Sequence, residues 1–291
     1  MQGIRAEHRS VCEVMATFHF SLAACYSFPV GHVAELVYAY DSESYSERIG
    51  SSSLPMPTGM NITAIKTGIF KEGEDLPAFI MRHVPKLKEG SILVITSKIV
   101  ALAEGRVVIA KTPMEKDAVI KGESTWALKT KYVWLTEKDG MILANAGVDE
   151  SNADGKLILL PKDSYAVAGS VRTTLKKCYK VKKLGIIITD SRIMPLRAGV
   201  VGVALGYGGF KGVRDYRGKK DLHGRKLKFS QTDVADSLAT AAVLAMGEGS
   251  ERQPLAVITD APVEFTERVN KKELLIPLKD DMYAPLFPRK K

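Results

Sequence analysis

Short apolar runs, each closed by glycine, proline or polar residues, recur along the chain: SILVITS (91–97), KLILLP (156–161), LGIIITDS (184–191) and PLAVIT (254–259), while VVGVALGYGG (200–209) is apolar and then glycine-rich, with no element assigned to it. Runs of about four to eight residues with such boundaries suit buried strands rather than helices. NITAIK (61–66) reads as a further strand. Helical signals lie between them. EDLPAFIMRHV (74–84) has Asp75 near its start and Pro77 in the first turn, where a missing N–H costs nothing. SKIVALAEG follows 91–97 and is ended by Gly105. DSYAVAGSVRTTLKKCY (163–179) has apolar residues near helical spacing and a basic last turn, which complements the helix dipole. TDVADSLATAAVLAMG (232–247) is the clearest helix: Thr232 is the expected cap, alanines fill it and Gly247 closes it. Strands and helices alternate irregularly, which predicts an α/β or α+β fold. The tail KDDMYAPLFPRKK is expected to be partly mobile.

Lysine marks where this fold begins. All 28 lysines follow Met60, although the first 59 residues are a fifth of the chain. That segment carries three Arg and six acidic residues, so the overall charge of +9 leaves +12 on residues 60–291. Glu13 and His19 interrupt its one apolar stretch, which argues against a secretory signal, and it has no period of 2 or 3.6. HVAELVYAYDSESYSERIGSSSLP instead resembles the product of a transfer-RNA gene read in frame. Gly50-Ser51-Ser52 can be encoded GGT-TCG-AGT, containing the GGTTCGA of a T arm, and Ala34-Glu35-Leu36-Val37 fits a D-arm sequence. On this reading 1–59 is a non-native or disordered extension, and the ordered protein starts at Met60, or Met56.

Several function classes drop out. The three cysteines form no CxxC pair, which excludes a disulfide framework and a cysteine zinc site. No apolar run reaches the ~18–20 residues of a spanning helix, so an integral membrane protein is not expected; with 1–59 set aside no targeting signal remains, and cytoplasm is the expected location. There is no GxxxxGK[ST] phosphate loop, and GYGGFKG (206–212) does not open a helix as a dinucleotide loop would. Only His83 and His223 lie within 60–291, which makes histidine acid–base chemistry a poor fit.

Three polar clusters stand where apolar elements end. NAGVDESN supplies Asn145, Asp149, Ser151 and Asn152; ITDSR supplies Asp190 and Ser191; MGEGSE supplies Glu248 and Glu251. Hard oxygen donors of this kind suit Mg²⁺ or Mn²⁺ bound together with phosphates, although each also serves as a turn former, helix cap or solvated surface group. Thr96-Ser97-Lys98 places a hydroxyl and an ammonium at another strand end, with a helix cap as the alternative role. Residues 209–228 carry eight Lys and Arg, which reads either as a solvated basic hairpin or as a groove for an anion.

Together, TSKIVALAEGR (96–106), NAGVDESNADG (145–155), LLPKDSYAVAGSVR (159–172), IITDSR–P–R (187–197), GVALGYGGF (202–210) and DYRGKKDLHGRKLKFSQTDVADSLATAAVLAMGEGSE–P (215–254) resemble, in that order, the coenzyme F420 γ-glutamyl ligase family over about 62–260. The resemblance implies a mixed-sheet homodimer. It also implies a GTP- and divalent-metal-dependent ligase that joins L-glutamate by an amide bond to a carboxylate of a phosphorylated acceptor of the coenzyme F420-0 type. Metal, Mg²⁺ or Mn²⁺ with K⁺ as a further cation, would be held by Asp149, Asp190, Ser191 and Glu248. Nucleotide contacts would come from Thr67, Gly68, Ile69, Phe70, Ser97, Lys98, Asn152, Met246, Gly247, Gly249, Ser250 and Glu251. Lys98, Asp149 and Asp190 would be the catalytic residues. Neither a membrane nor nucleic acid is an expected partner; the alternatives are the same chemistry on another carboxylate or amino acid, and a non-catalytic basic module. The chain departs from the family pattern at EGEDL (72–76), usually PGDDL. It departs again at Ile193-Met194-Pro195-Leu196-Arg197, where a Gly-Arg-Pro-Trp-Arg string is usual, so one arginine and a tryptophan are missing beside the site.

Overall fold

The computed structural model describes residues 59–151, 153 and 155–287. The reading of the N-terminal segment as an extension concerns residues outside this range, Gly59 apart. A five-stranded mixed sheet is the centre of the described chain: β1 (Asn61–Ile65), β2 (Ser91–Thr96), β8 (Leu184–Ile193), β9 (Val200–Gly208) and β12 (Leu255–Thr259). Their order is β1-β12-β2-β8-β9, and only β2 and β8 run parallel.

Side chains alternate across a strand, so each apolar run feeds two cores. Leu93, Ile95, Ile186, Ile188 and Leu255 face one side. There they meet α1 (Leu76–His83), α2 (Ser97–Ala103) and α4 (Ser164–Tyr179) through Phe79, Val100, Val171 and Leu175. Ile92, Val94, Ile187, Ala256 and Ile258 face the other side, under Leu238, Ala239, Ala242 and Met246 of α5 (Val234–Met246). Each buried Val, Leu or Ile among them contributes about 1.5–3 kcal/mol relative to exposure. Helices on both faces explain why these strands read as continuous apolar runs.

Strand β9 is pressed between the two helix layers. A Cβ on Gly202 would stand 2.4 Å from the Ala239 carbonyl oxygen of α5, and one on Gly206 would stand 2.5 Å from the Ser164 carbonyl carbon of α4. These even-numbered positions face opposite sides because the β8–β9 register shifts at Ile188/Thr189. A bulge inserts one residue and flips the alternation.

Three expectations are corrected. The strand 184–191 does not stop at a polar turn: β8 carries Asp190 and Ser191 within it and continues to Ile193, with the turn displaced to 194–199. Helix α5 is capped by Asp233, which accepts from the Asp236 N–H, while Thr232 lies in β11 (Gln231–Asp233), paired with β10 (Val213–Asp215). KLILLP keeps only Leu157–Ile158 as strand β7, against β3 (Val107–Val108); Leu159 then donates to the Arg106 carbonyl and the run ends at Pro161. Two further features had no reading from sequence: α3 (Pro113–Gly122) and the small sheet of β4 (Trp126–Lys129), β5 (Trp134–Lys138) and β6 (Met141–Ala144). The tail, expected to be partly mobile, forms 3-10 turns before Phe287, which packs edge-on against Trp126; residues 288–291 lie outside the described range.

Among the described residues no helix is long and apolar enough to cross a membrane.

Candidate active site

Parallel strands point their carboxyl ends the same way, and that edge is where ligands bind in open α/β sheets. Thr96 of β2 is the register partner of Thr189 of β8. The residues that follow, Ser97 and Asp190, therefore emerge side by side. Ser97 Oγ donates to Asp190 Oδ1 at 3.2 Å. The Thr96 N–H donates to the Pro254 carbonyl, and the Thr67 N–H to the Arg252 carbonyl at 2.9 Å. These bonds fasten the 67–70 and 246–254 segments to the same edge.

Asp149 reaches the site from the other side. Its backbone exchanges two hydrogen bonds with Ile158 of β7, both 2.9 Å. Its Oδ1 accepts from the Ser151 N–H at 2.7 Å, and its Oδ2 accepts from Ser151 Oγ at 2.9 Å. Lys98 Nζ lies 2.7 Å from Asp149 Oδ2 and donates to Ser151 Oγ at 2.8 Å. Beyond Asp190, Ser191 Oγ donates to Glu248 Oε1 at 2.5 Å. Gly247 has φ +81 and a Cβ there would meet Glu251 Cδ at 2.5 Å, so this loop needs glycine while Glu251 folds back on the Gly249 N–H.

The two aspartates are tuned apart. Burial would push the Asp149 carboxyl up, but the Lys98 ammonium and the Ser151 donors outweigh it and hold it below the ordinary carboxylate range. Asp190 keeps a small opening to solvent but is walled by protein, and burial pushes its carboxyl up to about 6 against the Ser191 N–H and the Ser97 hydroxyl. Lys98 favours the ionised form of Asp190 and Asp149 opposes it, so the three groups sense one another.

Ser97–Asp190, Lys98–Asp149–Ser151 and Ser191–Glu248 are thus three hydrogen-bonded groups, brought together because Ser97 adjoins Lys98 and Asp190 adjoins Ser191 in the chain. Thr67 is buried, with Oγ1 donating to the Gly68 carbonyl, and Gly68 and Ile69 are exposed. Phe70 and Met246 put their side chains into the two cores, which leaves their backbones for any ligand. Gly249 and Ser250 are exposed in the same loop as Glu248. Asn145 is structural: its Oδ1 accepts from the Trp134 N–H. Asn152 lies outside the described residues. Sequence reasoning passed over His83, whose Nε2 accepts from the Gly68 N–H; a contact between a loop and a helix end leaves no signal in spacing.

Among the described residues no three acidic, histidine or cysteine side chains converge into a preformed metal cage. Mg²⁺ needs none, since it is held by one or two carboxylates together with phosphates and water. Asp190 fits that use: a walled-in carboxylate whose one side-chain donor among the described residues is a hydroxyl gains most from a cation.

The profile of the F420-0:Gamma-glutamyl ligase family matches residues 64–118 and 109–260. The chain belongs to this family. Among its relatives in the family is the Coenzyme F420:L-glutamate ligase of Methanococcus maripaludis strain C6, 34% identical over 68% of this chain and 86% of the relative. The protein of the same name from Methanocaldococcus jannaschii is 32% identical over 77% of this chain and 96% of its own. That of Methanopyrus kandleri is 36% identical over 64% and 81%.

Proposed function

We propose that this protein is a GTP- and divalent-metal-dependent ligase that joins L-glutamate by an amide bond to a carboxylate of a phosphorylated acceptor, of the coenzyme F420-0 type, through an acyl phosphate. The observation that carries the proposal is the convergence of Lys98–Asp149 and Ser97–Asp190 at the carboxyl end of β2 and the adjoining stretch of β8, in a chain whose relatives bear the name Coenzyme F420:L-glutamate ligase.

A carboxylate is a poor electrophile and must be activated before an amine can displace its oxygen. In the proposed sequence an acceptor carboxylate oxygen attacks the γ-phosphorus of GTP and GDP leaves. The deprotonated amine of glutamate then attacks the carbonyl carbon of the acyl phosphate, and inorganic phosphate departs. Such chemistry asks little covalent help of a protein; positioning and charge neutralisation do most of the catalysis. Asp149, Asp190, Ser191 and Glu248 are the residues that would hold Mg²⁺ or Mn²⁺, which supplies neutralisation at the phosphates. Lys98 contributes a point charge beside Asp149, with which it pairs in the structure. Ser97 fixes the Asp190 carboxylate. The loops at 67–70 and 246–251 border the edge where the nucleotide would lie.

Incubation of the protein with coenzyme F420-0, L-glutamate, GTP and Mn²⁺, followed by mass spectrometry, tests the proposal. The acceptor gains one glutamyl unit and GDP appears in equal amount. Asp149→Asn abolishes both without unfolding the protein. An acceptor unchanged with every nucleotide and metal would count against the ligase reading.

A further inference from the structure

We infer that His83 is a positioning residue for the nucleotide: its Nε2 holds the Gly68 N–H and so sets the shape of the Thr67–Phe70 loop. The inference rests on the proposal that this loop borders the GTP site.

The chemistry of the ring follows from its two neighbours. His83 closes the last turn of α1, where its Nδ1 lies 2.9 Å from the Phe79 carbonyl oxygen. A carbonyl only accepts, so Nδ1 carries the proton. In the neutral imidazole Nε2 is then the ring's acceptor, and it lies 3.4 Å from the Gly68 nitrogen. The ring is seated on Phe79 at 4.4 Å between centroids, and Phe79 in turn receives the edge of Phe70 at 4.9 Å.

The loop is therefore tied at three points. The Thr67 N–H bonded to the Arg252 carbonyl fixes its start, and the Phe70 ring buried on Phe79 fixes its end. His83 is the tie in the middle, and it holds the part of the loop that faces solvent. Gly68 is exposed there, and apart from its own chain neighbours no atom stands within 4 Å of where its Cβ would be. The open space over bare backbone is room for a ligand to approach closely. A loop held in that shape before the nucleotide arrives loses less freedom when it binds.

Three substitutions separate this role from simple packing. His83→Phe keeps a ring on Phe79 and removes the acceptor. His83→Gln restores an acceptor oxygen and removes the ring. His83→Ala removes both. The KM for GTP and the kcat of ligation, with the ligand-free melting temperature and the GTP–Mn²⁺ thermal shift, are measured on the full chain. The KM for GTP rises about three- to tenfold in the Phe and Ala variants, the worth of one hydrogen bond, and Gln brings it back towards wild type. The kcat and the KM for glutamate stay put. Melting temperature orders the variants differently, with Phe nearest wild type. A Phe variant with wild-type GTP affinity, or a KM that tracks melting temperature, would overturn the inference while leaving the nucleotide reading intact. A wild-type protein indifferent to GTP would overturn the nucleotide reading first and this inference with it.

Discussion

Glu267 meets Arg172 through two parallel hydrogen bonds of 2.9 and 2.8 Å and Lys176 through a third of 2.8 Å. The Arg172 guanidinium is buried and also donates to the Leu184 carbonyl, so this carboxylate closes the far end of α4 onto β8. The two cations hold the Glu267 carboxyl down to about 2, from an ordinary 4.5. A depressed acid takes up protons more readily unfolded than folded, so its stabilisation is whole above 4.5 and is lost as pH falls towards 2. Glu267→Gln is therefore expected to lower the melting temperature at pH 7, and its gap to wild type should close between pH 4.5 and about 2 in melts followed by circular dichroism. A gap that widened in acid would contradict this pairing. Single residues of the site were legible from sequence by type and place: Asp149, Asp190 and Glu248 are carboxylates where apolar elements end. Their partners were not. Ser97 and Asp190 are 93 positions apart, and the contact comes from the parallel register of β2 and β8.

Helix α5 shows how an element is fixed by one residue at its boundary. Asp233 ends β11 with extended backbone angles and accepts from the Asp236 N–H at 2.9 Å, whereas Thr232 stands one residue further from the helix, opposite Arg214 of β10. Asp233→Ala is expected to cost about 1 kcal/mol in urea denaturation, the usual worth of a cap, and Thr232→Ala only a few tenths. Equal losses would mean that the cap is shared. Four of the five central strands, α1, α2, α4 and α5 were legible because buried runs and capped amphipathic helices carry strong signals; β9 was not assigned, its glycines weakening the strand pattern. The β4–β6 sheet was not, since its strands are short and mostly half-exposed, so neither alternation nor a continuous apolar run marks them. The end of β8 was misplaced for a related reason: Asp190-Ser191-Arg192 is polar enough to read as a turn, yet it pairs in full with Val201–Val203 of β9.

On the scale of the molecule, the sheet gathers residues from distant segments onto one edge, and the net +12 of residues 60–291 gives the chain an overall field that favours anions. A nucleoside triphosphate, a phosphorylated acceptor and a dicarboxylate are all anions, which ties the charge balance to the proposed chemistry. Composition showed the sign of that field, and only the fold shows which carboxylates stand inside it. The most direct measurement is a thermal-shift titration of the full chain with GTP, ATP and GDP, each with and without Mn²⁺, beside Asp149→Asn. A ligand at about 100 times its Kd adds about 2.7 kcal/mol, which is readily seen. The expected result is a rise in melting temperature with GTP that requires Mn²⁺ and vanishes in Asp149→Asn. No shift with any nucleotide, or an equal shift in the variant, would contradict it.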